Sequence, residues 1–297
     1  MQASNLAVII LTLNQEPNLP HALMSVCGWA DEVHVVDAGS TDLTCELALA
    51  RGCVLTHHPF QGHAAQCNYA LRELPIAAEW VLFLEPYEQV SPRLREEISR
   101  LIASRPEANG FLIKRRLIWM NRFIRHGDYG PVWSLRLVRR RFARCLASRE
   151  HAFFQVSGAI GKLRADLLQQ DRKGLDAWID LHNRTAPLQA KSLLLPAARS
   201  LNPRGGYDSC PERSASLHRH IWNRLPPMFR PFLNFSYHYF LLGGFLDGVP
   251  GFCYHFLEGF WYPLLVNYYF REMRRLPALQ SVFVSPSTLG SSADPDS

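Results

Sequence analysis

Four stretches of this chain carry groups able to hold a ligand or move a proton. Val33 to Asp42, VHVVDAGSTD, is a short apolar β-branched run ending in a carboxylate, Asp37, with Gly39, Ser40, Thr41 and Asp42 behind it. In an open α/β sheet, the carboxyl end of such a strand is where a ligand sits. Leu6 to Leu13 ends the same way, in Thr12, Asn14, Gln15 and Glu16. The third stretch, Glu85-Pro86-Tyr87-Glu88, follows apolar Trp80 to Leu84 and sets two carboxylates on a turn that proline fixes. The fourth is basic: Lys114, Arg115, Arg116, Arg122 and Arg125, then Arg136, Arg139, Arg140, Arg141 and Arg144. Guanidinium groups at this density suit phosphate, a diphosphate leaving group or anionic headgroups, against the plain reading of a solvated face. Arg136 and Arg139 are the two selected for function.

The elements that position these groups follow from periodicity. Leu19 to Cys27 is helical, with Leu19, Leu23 and Val26 on one face, and links the first two runs as a right-handed βαβ unit able to grip a nucleotide. Helix over Thr44 to Ala50, strand over CVLTHH, helix over Ala64 to Leu74 and strand over WVLFL continue the alternation. This predicts a mostly parallel α/β sheet. PRLREEISRLIA is an amphipathic cover with Leu94, Ile98 and Leu101 on one face. FLIKRRLIW and WSLRLVRR are extended and basic. The organisation expected is an α/β domain over 1–174, a helical segment and polar linker over 175–228, aromatic helices over 229–275 and a disordered tail over 276–297.

A chain of 297 residues, 47% hydrophobic and 20% charged, can bury a large core, which excludes disorder for most of it. The net charge of +6 steers anionic partners toward it. Nucleic acid is not expected among them, since the arginines form no recognisable reading module. The seven cysteines show no CxxC pair and read as reduced core residues. No basic n-region precedes the first apolar run, so a cytoplasmic protein is expected. Phe229 to Phe270 is dense in aromatics, with Asp247 and Glu258 its acids and no lysine or arginine between Arg230 and Arg271. Gly243-Gly244, Asp247-Gly248 and Pro250-Gly251 interrupt it, so the expectation is helices lying in the inner membrane face rather than spanning it. Arg230, Arg271, Arg274 and Arg275 would meet the headgroups.

Taken in order, VIILTLNQEPNL, GWADEVHVVDAGSTDLTCELA, HHPFQGHAAQCNYAL, WVLFLEPYEQVSP and LLGGFLDGVPG resemble family 2 glycosyltransferases of the GT-A fold, in particular those that add a sugar to the lipopolysaccharide inner core. The resemblance runs from about Leu6 to Arg271. It implies a Rossmann-like mixed sheet with a C-terminal helical, aromatic-rich extension. It also implies inverting transfer of a sugar from a nucleotide-diphosphate donor to a lipid-linked or cell-envelope glycan. Thr12, Asn14, Glu16, Asp37, Gly39, Ser40 and Asp42 would surround the nucleoside, with Gln66, Asn68 and Arg136 completing the donor site. The implied cofactor is Mg²⁺ or Mn²⁺ on Glu85 and Glu88, Tyr87 standing where the family has its second aspartate. The family's acids before LRL and before VxGxxGxL are replaced here by Val132 and Ala152. The candidate catalytic groups are then His151, Glu150 and Glu88, with Asp128 nearby. The alternative is a homologue that binds nucleotide or glycan beside a partner enzyme without turnover.

Overall fold

The computed structural model describes residues 3–127, 132–147, 152–194 and 228–275. Its sheet is built outward from β1 (Ala3–Thr12), which pairs in parallel with β2 (Ala30–Asp37) and with β4 (Trp80–Leu84), while β3 (Val54–His57) lies beyond β2. Past β4 the direction reverses. β8 (Val132–Arg139) is antiparallel to β4 and to β6 (Gly110–Trp119), and β11 (Ile160–Gln169) runs parallel to β6. With β5 (Glu88–Val90) at the far edge, the order is β3-β2-β1-β4-β8-β6-β11-β5, the mixed sheet that the GT-A resemblance implies. The two-residue β7 (Arg122–Phe123) folds back on the end of β6. The carboxyl ends of β1, β2, β3, β4, β6 and β11 therefore share one edge.

The central strands are apolar on both faces because both are covered. Leu6, Val8 and Ile10 of β1 pack with α1 (Leu19–Met24) and α4 (Pro92–Ala103), while Ala7 and Ile9 pack with α3 (His63–Arg72) and the hairpin of β9 (Ala143–Ala147) and β10 (Ala152–Val156). α2 (Thr44–Ala50) adds Ala48 to the first of these cores. Ser91 caps α4 by accepting from the Leu94 amide, and Pro92 occupies the first turn, where a missing N–H costs nothing. The expected cover helix and the β4 strand have the bounds read from sequence. β5 was not expected, since three residues carry no periodic signal.

α5 (Gly174–Leu194) packs on the last described helix, α8 (Tyr262–Arg275), through Ala186, Ala190, Val266 and Met273, so these two helices share a core. Before α8 come α6 (Arg230–Ser236), a π-helical turn (Tyr237–Leu241), α7 (Gly248–Phe256) and a second π-helical turn (Leu257–Trp261). No single described helix is long and apolar enough to cross a membrane; Arg230–Leu241 and Gly244–Arg275 pass that test together but are bent by 70°. The bend is built. Gly243 has φ +75°, and a Cβ on Gly244 would fall 2.5 Å from the His255 ring. Asp247 accepts from the amides of Arg125 and His126, each at 2.9 Å, and pairs with His126 Nδ1 at 2.8 Å. Asp247 is thus a clamp between the helices and the loop after β7.

Burial, then nearby His238, push the His255 imidazole down to about 4. Because its folded value lies below the ordinary 6.5, the unfolded chain takes up the proton first as pH falls. Stability from this histidine is complete above pH 6.5 and declines between 6.5 and about 4. Tryptophan fluorescence melts across that range should show the decline, and His255→Gln should remove it.

The linker loop 202–213, Cys210 and the tail 276–297 lie outside the described residues. Of the described cysteines, Cys53, Cys67 and Cys145 are buried and Cys27, Cys45 and Cys253 half-buried.

Candidate active site

At the shared strand edge, the loops after β1 and β2 are stitched to each other. Asp37 is fully buried, and its Oδ1 accepts from Thr12 Oγ1 at 2.9 Å and Ser40 Oγ at 2.5 Å, its Oδ2 from the amides of Gly39 at 2.9 Å and Ser40 at 2.8 Å. Burial raises the carboxyl, but the bonds from Ser40, Gly39 and Thr12 outweigh it and hold Asp37 below its ordinary value. Asn14 Oδ1 accepts the Thr41 amide at 2.8 Å, and the Asn14 amide donates to Ser40 Oγ at 2.8 Å. Asp42 accepts the amides of Glu16 and Thr44, each at 3.0 Å, and Glu16 in turn accepts the Leu43 amide at 3.3 Å. The seven predicted loop residues therefore form one scaffold. Within it Asp37 shapes the loop and has no lone pair facing outward, whereas Asn14 and the Gly39 backbone are exposed. Gly39 has φ +104°, and a Cβ there would meet nothing within 4 Å, so its backbone borders open space.

Asp37→Asn would set an amide N–H₂ against existing donors. The expected cost is about 1–3 kcal/mol, measured by denaturant unfolding.

Gln66 and Asn68 hold structure. Gln66 is buried and hydrogen-bonded to the His58 ring and, at 3.1 Å, to the His58 carbonyl. Asn68 donates to the Cys145 carbonyl at 2.7 Å and accepts its amide at 2.9 Å, which joins α3 to β9. Arg139 is structural too: it reaches the Pro106 carbonyl at 2.7 Å and Glu79 at 3.2 Å, and lies over the Trp80 ring. Arg140 gathers the carbonyls of Leu71, in the last turn of α3, and of Leu74 and Ile76 beyond it.

Arg136 is different. Its Nη1 meets Glu85 Oε1 and its Nη2 meets Glu88 Oε1, both at 3.1 Å, so one guanidinium bridges the two acids of the β4 turn. Glu88 Oε2 accepts the Glu85 amide at 3.0 Å, and Arg115 Nη1 lies 4.0 Å from Glu88 Oε1. Glu88 is fully buried, and burial pushes its carboxyl up, whereas Arg136 and His63 hold Glu85 down against the effect of burial. Glu88 accordingly anchors Arg136 from a buried position. His63, at the start of α3, lies 3.8 Å from Glu85 Oε1 with its side chain 41% exposed. His57 Nδ1 likewise lies 3.7 Å from Asp37 Oδ2, and neither histidine stands out in the sequence.

Glu150 and His151 lie outside the described residues, as does Asp128; the hairpin that flanks the first two is described, with Ala147 paired to Ala152. Metal ligands of a second kind meet at Asp37, Cys45 and His57, whose donor atoms all lie within 4.8 Å of one another. They do not fit a cation. Each Asp37 oxygen already accepts two hydrogen bonds, which leaves that carboxylate no free lone pair for an ion.

Residues 7–146 match the family model described as glycosyl transferase family 2. Its relatives include an uncharacterised glycosyltransferase of Rickettsia typhi, 32% identical over 144 residues, which are 46% of this chain and 47% of that one. Another is LpsC of Rhizobium meliloti, a lipopolysaccharide core biosynthesis glycosyltransferase, 28% identical over 192 residues covering 62% of this chain and 70% of LpsC. The chain spans about half the length, or less, of the Rickettsia relatives it matches. Among solved structures, S. aureus TarS 1-349 aligns with TM-score 0.44 and 16% identity over 93% of this chain and 92% of that one. Glucosyl-3-phosphoglycerate synthase of Mycobacterium tuberculosis, in complex with Mn²⁺, uridine diphosphate and phosphoglyceric acid, aligns with TM-score 0.40 and 16% identity, covering 67% and 80%. The family 2 match ends within β9, so it includes the stitched loops, Glu85, Glu88 and Arg136, and leaves out β10, β11 and the aromatic helices.

Proposed function

We propose that this family 2 domain transfers a sugar, with inversion, from a nucleotide-diphosphate donor to a lipid-linked or cell-envelope glycan of lipopolysaccharide-core type, working at the cytoplasmic face of a membrane. The observation that carries the reading is the stitched loop pair at the carboxyl edge of β1 and β2, a preformed ledge with Asn14 and the Gly39 backbone exposed. Open α/β sheets bind ligands at this edge. The carboxyl ends of β4 and β6 lie on the same edge, so donor and acceptor can approach together. Inverting transfer needs a base that takes the acceptor hydroxyl proton as the anomeric bond to the diphosphate breaks. Glu150 and His151, between β9 and β10, are the groups assigned to the acceptor. The similarity to LpsC supports a core-type acceptor.

Incubation with UDP-sugars and lipopolysaccharide core acceptors should release UDP only when both are present, with loss of release in the double variant Glu150→Gln/His151→Gln. A panel of donors and core acceptors that gives no release, with UDP still bound, would instead favour a second reading, a nucleotide- and glycan-binding partner without turnover. The closed Glu85–Arg136–Glu88 cluster and Tyr87 are what favour that alternative.

A further inference from the structure

A divalent-cation site must offer uncompensated negative charge on oxygens that a small hard ion can reach. The turn after β4 offers no uncompensated charge, and three of its four carboxylate oxygens are already taken. Its two carboxylates, Glu85 and Glu88, stand against two guanidiniums, Arg136 at 3.1 Å from each acid and Arg115 at 4.0 Å from Glu88, so the cluster sums to zero before His63 is counted. Both Oε1 atoms are taken by Arg136, and Glu88 Oε2 is taken by the Glu85 amide. Tyr87, between the acids, keeps its phenolic proton, pushed up by Glu85, burial and Glu88. The Arg136 guanidinium, held in one orientation by two bonds, fills the place between the acids that an ion would take.

We propose that Arg136, gripped between Glu85 and Glu88, is the built-in cation of the donor site, and that this chain binds a nucleotide diphosphate without Mg²⁺ or Mn²⁺. His63, half-exposed beside Glu85, is the adjoining group that faces the surface. The inference rests on the reading of this edge as a nucleotide-sugar site.

Two titrations on the full chain test it. Calorimetric titration of UDP in EDTA and in excess Mn²⁺ should give affinities within about twofold of each other; a gain of about tenfold or more with Mn²⁺, lost in Glu85→Gln, would overturn the proposal. Separately, the electron paramagnetic resonance signal of free Mn²⁺ should be unattenuated by stoichiometric protein without nucleotide, and a saturable one-to-one loss of signal would also overturn it. If UDP binds under neither condition, the donor-site reading fails while the Mn²⁺ signal still decides the cation question. Arg136→Gln supplies the converse. Freed of its guanidinium, the acid pair should attenuate the Mn²⁺ signal and the variant should melt higher with Mn²⁺ present. A folded Arg136→Gln protein that gains no Mn²⁺ site would count against Arg136 as the occupant, and should that variant not fold, the two wild-type titrations decide alone.

Discussion

Replacing Arg136 by alanine is expected to cost about 3–5 kcal/mol, because it strands Glu88, fully buried, and Glu85, largely so, without their shared partner. For a chain of this size the melting temperature should fall by roughly 6–20 °C. The loss is not the value of the ion pairs themselves, since taking three charges out of water is costly and the pairs only repay that cost. The triple variant Glu85→Gln/Glu88→Gln/Arg136→Met separates the two ideas. Its Glu88→Gln change retains a side-chain oxygen to accept the amide of residue 85, and no charge is left buried, so most of the lost stability should return. Differential scanning calorimetry of both variants checks this. A triple variant as unstable as Arg136→Ala would mean that the specific geometry of the cluster, rather than its charge balance, holds the turn.

The contrast between Arg136 and its neighbours also marks how far the sequence could be read. The βα alternation, the buried β1 and β4 and the cover helix α4 were legible because each is set by local periodicity against a sheet covered on both faces. The loop residues were legible as a group, since strand ends at one edge of a parallel sheet must come together. Their division of labour was not. Asp37 reads as a ligand group from its position, but whether its four lone pairs face a ligand or the loop depends on Thr12, 25 residues away, and on the turn made by Gly39 and Ser40. Among the arginines, nothing local distinguishes Arg136 from Arg139. They lie three residues apart on β8, so the pleat sends them to opposite faces, and only the pairing with β4 decides which one meets the acids. Tyr87 and the loss of the second family acid gave the one hint that the cation site had changed.

Four serines in place of Phe240, Leu241, Leu246 and Val249 are expected to abolish binding to vesicles containing anionic lipid. These side chains are 60%, 76%, 62% and 68% exposed and flank the 70° bend, while the core behind them is supplied by other residues, so their removal should leave the fold intact. Burying a side chain of this class in an apolar phase is worth about 1.5–3 kcal/mol. Partial burial of four of them therefore supports a loss of partitioning on the order of a hundredfold or more. Arg271, Arg274 and Arg275, at the exposed end of α8, act through charge, at about 1 kcal/mol each near an anionic surface. Their replacement by glutamine should weaken binding at low salt and leave the high-salt remainder unchanged, whereas the serine variant should lose binding at every salt concentration. Sedimentation with vesicles of neutral and anionic composition reads both. Wild-type protein that stays in the supernatant with either vesicle would remove the membrane from the proposed function. The transfer reaction would stand, because the donor ledge on β1 and β2 owes none of its hydrogen bonds to the aromatic helices. The Asp247 clamp fixes the amides of Arg125 and His126, so the aromatic helices hold the stretch after β7.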